Sequence, residues 1–461
     1  MLSAVNPAAG VERSDGGLAR VIGLWGGLSV IVGITIGSGI FRKPTTLARD
    51  VGDPPAILGL WVFFGVVSLC GALTVAELAS MLPKTGGIYV FLRAAYGDSA
   101  AFVVGWMYLL IATPGALGAL STFFAELLLG ILGRPPEPGS WLVPGIASVT
   151  IGVLCIVNVL GARLGAGVQT ALTIIKVAAL VSLVIAAVAS PGGSFAHLRP
   201  SAEGARNLGV GAASVIWAYD GWIAISMIAG EIKAPERELR RIIVAGLAII
   251  SSLYVAANVG YFYALPVGVM ASESAGVPQR IMSDWLGPSG ALLIGVAILC
   301  SVTGALNGNV LAKPRVPFAL AQDGLTFGFL GRAHPRFATP HAAILIQGLA
   351  AILLVAALRD FDKLTAYAVV VEWSALMFAV AAVFVLRRRM PDAPRPFRVP
   401  GYPWVPLVFL LGTGTGLLAI VRGEIARDVP NYSPLVGLGL ALLGFPVYAL
   451  WRTRMRGRRD A

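Results

Sequence analysis

The sequence predicts an all-α polytopic membrane protein with twelve transmembrane helices. Three observations carry this. Hydrophobic types make up 57% of the 461 residues, 56 more are glycine, and only 13% are charged. Soluble domains carry about 25% charge and about 45–50% apolar residues on a closely similar count. That much apolar surface cannot be hidden inside a water-soluble fold of this size. Second, the apolar residues fall into twelve segments, each long enough to cross the ~30 Å hydrocarbon layer as a helix. Third, the connections are short, with no low-complexity tract and no soluble domain. Lipid forbids open strands, so the segments are helices. Disorder, coiled coil and nucleic-acid-binding arrays are excluded by the same composition.

In order, the segments are 21–48, 55–81, 98–131, 141–161, 166–190, 208–231, 241–265, 289–311, 341–358, 364–386, 404–421 and 434–451. The first 20 residues are polar and include Glu12, Arg13 and Asp15. They lack a cleavable signal's apolar core, so the first segment is expected to be an uncleaved span. The net charge of +12 would suggest a nucleic-acid partner in a soluble protein. Here it fits basic residues gathered on cytoplasmic loops. With the N-terminus inside, 23 of the 35 Lys and Arg residues fall on cytoplasmic segments, Lys313 and Arg315 among them, and 11 fall outside. The remaining one, Lys176, lies within a span. The two-to-one bias supports both termini in the cytoplasm. Cys70, Cys155 and Cys300 all lie in apolar runs and report no redox compartment.

Two spans are predicted to be broken. The first contains Gly33-Ile-Thr-Ile-Gly37-Ser38-Gly39-Ile-Phe41, and glycine disfavours helix. Unwound backbone at membrane depth survives only where it lines a cavity. Taken alone, Gly33 and Gly37 read equally well as a small-xxx-small packing pair. The sixth contains Trp217-Ala-Tyr219-Asp220-Gly221-Trp222, a second break. The two breaks fall in the first helices of successive five-helix halves, the pattern of a transporter with a midplane site. A half-helix starting after Gly37 offers N–H groups and a positive dipole end to a carboxylate. Carbonyls freed at Thr35, Trp217 and Asp220 can accept from an ammonium. The pair of breaks thus suits an α-amino-acid head group.

Few ionisable groups lie within spans. Lys176, central in the fifth, needs a partner, because a lysine there costs about 2.5–3.5 kcal/mol on insertion scales. The plain alternative is snorkelling to an interface. Asp220 reads as an N-cap of the second half of its helix or as a pocket side chain. Glu372 in the tenth span is a functional candidate. Glu77 and Glu126 lie nearer span ends and read as structural. His197, His334 and His341 show no metal or triad spacing, so neither an enzyme nor a metal or other cofactor is expected.

These residues resemble the amino acid–polyamine–organocation superfamily, most of all its L-type amino-acid transporter branch in its prokaryotic form. The resemblance rests on Ile-Gly-Ser-Gly-Ile-Phe at 36–41, Pro83-Lys-Thr-Gly-Gly87-Ile-Tyr89, Ala218-Tyr-Asp-Gly-Trp222, Gly230-Glu231-Ile-Lys-Ala-Pro235, Asn307-Gly308, Asp323-Gly324 and Arg395-Pro-Phe-Arg-Val-Pro400-Gly-Tyr-Pro403. It implies a five-plus-five inverted-repeat fold with two extra C-terminal helices. A tail (1–20) would precede a first repeat (21–190), an external loop (191–207) and a second repeat (208–386). A cytoplasmic loop (387–403), two helices (404–451) and a basic tail (452–461) would follow. It also implies a place in the bacterial inner membrane and alternating access, as exchange or proton-coupled uptake of neutral amino acids.

Carried over, Gly37, Ser38 and Gly39 would hold the substrate carboxylate, with Thr35, Trp217, Ala218, Asp220 and Gly221 completing the site. Trp217 stands where the family usually has a phenylalanine gate. Lys176 matches a lysine that replaces sodium in related sodium-independent carriers, its expected partners being a carbonyl near Gly33 and Ser301. The animal heteromeric members bind a heavy subunit through a cysteine in the third-to-fourth loop. Residues 132–140 contain none, so no such subunit is implied. The expected partners are an amino acid, the bilayer and, for coupled uptake, protons, with no nucleic acid. The rival readings are a polyamine or cationic amino-acid carrier of the same superfamily, a major-facilitator carrier and a channel. The loop from Pro83 to Gly97 lacks the basic signature of the second rival, and the intramembrane charge is too sparse for a continuous polar pore.

Overall fold

A computed structural model describes residues 20, 22–134 and 139–459. The described residues fold as helices without a β-strand; one isolated bridge joins Ile22 to Ile232. Among the described residues, eleven helices are long and apolar enough to cross a membrane. They are α1 (Leu24–Asp50), α2 (Pro54–Met81), α3 (Asp98–Ile131), α4 (Leu142–Val159), α5 (Gln169–Val188), α7 (Pro235–Ala264), α8 (Pro288–Gln322), α9 (His341–Leu358), α10 (Phe361–Arg389), α11 (Trp404–Ile425) and α12 (Ser433–Thr453). The twelfth crossing, α6, falls short because it is broken into Leu208–Tyr219, Ala224–Met227 and a short turn at Ala229–Glu231. α1 is broken as well, into α1a (Leu24–Thr35) and α1b (Gly39–Asp50).

Helix ends follow local chemistry. Asp53 caps α2 through the Ala56 N–H at 3.0 Å, ahead of Pro54 and Pro55. Asp360 caps α10 through the Lys363 N–H at 2.8 Å, and Arg387, Arg388 and Arg389 close it, matching the helix dipole at both ends. In α3, Pro114 has no N–H to donate back one turn. The helix widens there into a π turn over Tyr108–Ala112, and Gln347 Nε2 donates to the Tyr108 carbonyl at 2.8 Å.

Helix faces sort by solvent. On α9, Ile344, Gln347, Gly348, Ala351 and Val355 are buried, while Leu345, Leu349 and Leu353 point outward, as expected where lipid is the solvent. The buried polar side chains instead gather between helices. Glu77 at the end of α2 is one. It accepts from Arg387 at 2.9 and 2.7 Å and from the Val399 N–H at 2.7 Å, which pins the 390–403 loop to α2 and α10.

The structure corrects one part of the charge assignment. Lys313 and Arg315 are not loop residues; both are buried. The apolar run ends near Ala312, but the helix resumes as Arg315–Gln322 and stays inside the bundle. Arg315 pairs with Glu231 at 2.9 Å, joining α8 to the end of α6. Removing both from the count leaves the basic bias intact.

Candidate functional site

The two helix breaks interlock. α1a stops at Thr35, residues 36–38 form a bend, and α1b starts at Gly39. In α6, Asp220 is extended, and Gly221 has φ +111, a conformation that glycine adopts without penalty. A Cβ on Gly39 would lie 2.5 Å from the Ala218 Cα, and one on Gly221 would lie 2.7 Å from Ile34 Cγ2. Each break is thus the surface against which the other closes.

Lys176 is fully buried behind the first break. Its Nζ donates to the carbonyls of Gly33 (2.6 Å), Ile36 (2.7 Å) and Ser301 (2.8 Å). Two of these acceptors are carbonyls at the C-terminal end of α1a, the negative end of its dipole. Ser301 meets the lysine through its backbone rather than its hydroxyl, which donates to Ile36 O at 3.2 Å. Snorkelling does not occur.

Between the breaks lies a chamber of about 20 Å³, room for about one water. Of the predicted residues, Thr35, Gly37, Ser38, Gly39, Trp217 and Asp220 line it, joined by Ile34, Ala116, Leu120 and Asn309. Ala218 and Gly221 instead form the contacts between the breaks. Trp217 closes one side: its Nε1 donates to Ser38 Oγ at 3.0 Å, and its ring meets Phe361 edge-on at 6.0 Å. Beyond Phe361, Arg42 pairs with Glu126, and Lys43 pairs with Asp362 at 2.6 Å.

Two expectations need correction. The Thr35 and Trp217 carbonyls are not free: Thr35 O accepts the Gly37 N–H and the Tyr254 hydroxyl, each at 2.9 Å, and Trp217 O accepts the Asp220 N–H at 3.2 Å. The same hydroxyl lies 3.0 Å from the Ala218 carbonyl, so Tyr254 of α7 staples both breaks. A lone tyrosine in an apolar run carries no sequence signal that separates this role from packing. Nor does Asp220 cap a helix, because the helix restarts only at Ala224, with no side-chain cap. Its Oδ1 accepts from Trp373 Nε1 at 3.1 Å, and its Oδ2 lies 3.7 Å from Lys313 Nζ.

The chain matches the amino acid permease family model over residues 22–441. It belongs to the amino acid permease family. Three relatives agree. The serine/threonine exchanger SteT of Bacillus subtilis (strain 168) is 32% identical, over 95% of this chain and 98% of its own. The b(0,+)-type amino acid transporter 1 of Mus musculus is 28% identical, over 90% and 86%. The cystine/glutamate transporter of Homo sapiens is 29% identical, over 94% and 85%. The chain is therefore a multi-pass amino-acid transporter and not an enzyme.

In this permease the chamber sits between two larger vestibules. One, of about 680 Å³, is lined by Arg20, Lys84, Tyr89, Arg93 and Asp323 among others. There Tyr89 donates to Asp323 at 2.8 Å, beside an Arg93–Asp323 pair at 2.5 Å, and burial beside that carboxylate raises the phenol above its ordinary range. The second, of about 480 Å³, is lined by Arg42, Glu126 and Asp362. No His, Cys, Asp or Glu cluster able to hold a metal occurs among the described residues.

Proposed function

We propose that this permease exchanges small neutral L-amino acids by alternating access, without sodium. The observation that carries the reading is the pair of interlocked breaks facing one small chamber between two vestibules. α1b begins at Gly39, where a helix's first N–H groups have no preceding turn to bond and the dipole is positive. A zwitterion's carboxylate fits there. Its ammonium then lies toward Asp220 and the α6 break. Residues 21–190 and 208–386 act as the two repeats that rock around this point, with both termini in the cytoplasm of a bacterial cell. SteT, a serine/threonine exchanger by name, supports exchange and a small substrate. Lys176 Nζ, donating to three carbonyls, fills with a protein donor the place where a cation would otherwise gather those oxygens, which supports sodium independence.

The test is uptake of labelled L-serine and L-threonine into proteoliposomes holding the permease alone. Internal unlabelled substrate should raise uptake several-fold, and replacing sodium with choline at fixed pH should leave it unchanged. A strict sodium requirement, or uptake blind to internal substrate, would refute the reading.

Substrate size is expected to follow Trp217. Its indole walls one side of the chamber and is tethered to Ser38. Trp217→Phe removes both volume and tether, so competition by L-leucine and L-phenylalanine should strengthen about tenfold, the effect of one to two methylenes' worth of pocket space. An unchanged competition profile would reduce Trp217 to packing.

A further inference from the structure

We propose that Asp220, Lys313 and Glu372 form a proton site: a proton occupies Asp220 while the chamber is empty and leaves when the substrate ammonium arrives. This rests on the amino-acid reading of the chamber and adds what balances its charge without substrate.

The cluster joins four helices. Lys313 Nζ lies 2.7 Å from Glu372 Oε2 and 3.7 Å from Asp220 Oδ2. The side chains of Lys313 and Glu372 are fully buried, and that of Asp220 is 12% exposed, lining the chamber. From α3, Tyr108 Oη donates to Glu372 Oε1 at 3.2 Å. From α10, Trp373 Nε1 donates to Asp220 Oδ1 at 3.1 Å. From α7 the nearby titratable group is Tyr254, which bonds backbone instead.

Two carboxylates therefore share one ammonium, and the fully ionised cluster carries one surplus negative charge. A buried charge without compensation is costly and is normally removed by protonation or pairing. Lys313 is 1 Å closer to Glu372, which also has the tyrosine, so Glu372 is the better compensated of the two carboxylates. Asp220 has an indole N–H and a more distant ammonium, and it alone of the three faces the chamber. The surplus thus falls on Asp220. In the empty permease a proton taken from chamber water onto Asp220 Oδ2 brings the cluster to neutrality. An arriving zwitterion supplies a positive ammonium at the same place, and that proton returns to water. One proton leaves for each substrate bound.

The experiment uses the purified full chain in nanodiscs, with L-serine as probe. It measures proton release in weakly buffered solution and the L-serine Kd between about pH 5 and pH 8. Wild type should release close to one proton per L-serine on the acid side, where Kd should fall about tenfold per unit rise in pH. Glu372→Gln removes the surplus charge and leaves the chamber lining intact, so release should vanish and Kd become flat with pH. Lys313→Gln deepens the surplus, so release should persist to higher pH. Asp220→Asn should abolish release even where binding is weakened.

No proton release by wild type, or the same release in Glu372→Gln and Asp220→Asn, would overturn the proposal. It also falls if L-lysine binds more than tenfold tighter than L-serine without proton release, since a cationic side chain would then meet the charge. Failure to bind any L-amino acid would refute the reading of the chamber itself.

Discussion

Lys176→Ala should reduce exchange to the level of empty liposomes. The three carbonyls that surround the ammonium belong to two elements, the end of α1a and the middle of α8. Truncation takes the lysine donor from all three buried carbonyls; Ile36 O keeps only the 3.2 Å Ser301 hydroxyl bond, and an acceptor left unpaired there costs about 1–3 kcal/mol, where no bulk water can reach. It also unlinks the broken helix from α8. Lys176→Arg should fail too. The ammonium is a compact point donor, whereas guanidinium is a planar fork that needs space. A Cβ on Gly304 would already lie 3.2 Å from Nζ, so the surroundings are full. The measurement is exchange of labelled L-serine, with thermal unfolding in detergent run alongside. Lys176→Ala that exchanges at the wild-type rate would refute the role. A variant that is folded yet inactive separates the link from mere stability.

The parts of this site legible in the sequence are those that break a pattern. Gly37-Ser38-Gly39 and Asp220-Gly221 interrupt apolar runs, so the order of residues alone locates both helix breaks. Lys176 is legible as a charge needing a partner, and family resemblance names Gly33 and Ser301. The Ile36 carbonyl is not legible, because it becomes available only through the geometry of the bend. Lys313 is misplaced because hydropathy ends a helix at the first charged residue, while α8 runs on in the bundle interior. A signal does exist: Asp220 and Glu372 both lie within spans, and Lys176 alone cannot balance two carboxylates. Asp220 fails as a cap because its extended backbone and the turn at Gly221 delay the helix restart to Ala224. Tyr254 is invisible, because its role depends on a distance of 2.9 Å to a carbonyl 219 positions earlier in the chain.

Gly39→Val should abolish exchange while leaving a membrane-inserted protein. Gly39 is the first residue of α1b, and its missing side chain does two things. It lets α6 approach so closely that a Cβ would meet the Ala218 Cα and Cβ at 2.5 Å and its backbone nitrogen at 3.3 Å. In the proposed site it also keeps a side chain away from the first N–H groups of α1b, where the substrate carboxylate would bind. Backbone cannot retreat as a flexible side chain can, so valine must part the two breaks. Overpacking of this kind costs about 1–3 kcal/mol, or about 5- to 150-fold if expressed as substrate affinity. Gly39→Ala should show a smaller loss in the same direction. Ala218→Gly should not rescue it fully, since the backbone at that position still blocks the added side chain. Gly152→Ala, where nothing lies within 4 Å, is the control and should exchange normally. The backbone reading also requires a free carboxylate, so L-serine methyl ester and L-serinamide should not compete. Full exchange by Gly39→Val, or strong competition by the ester, would show that substrate is held elsewhere. If valine removes exchange and the ester stays inert, the open start of α1b is the carboxylate site.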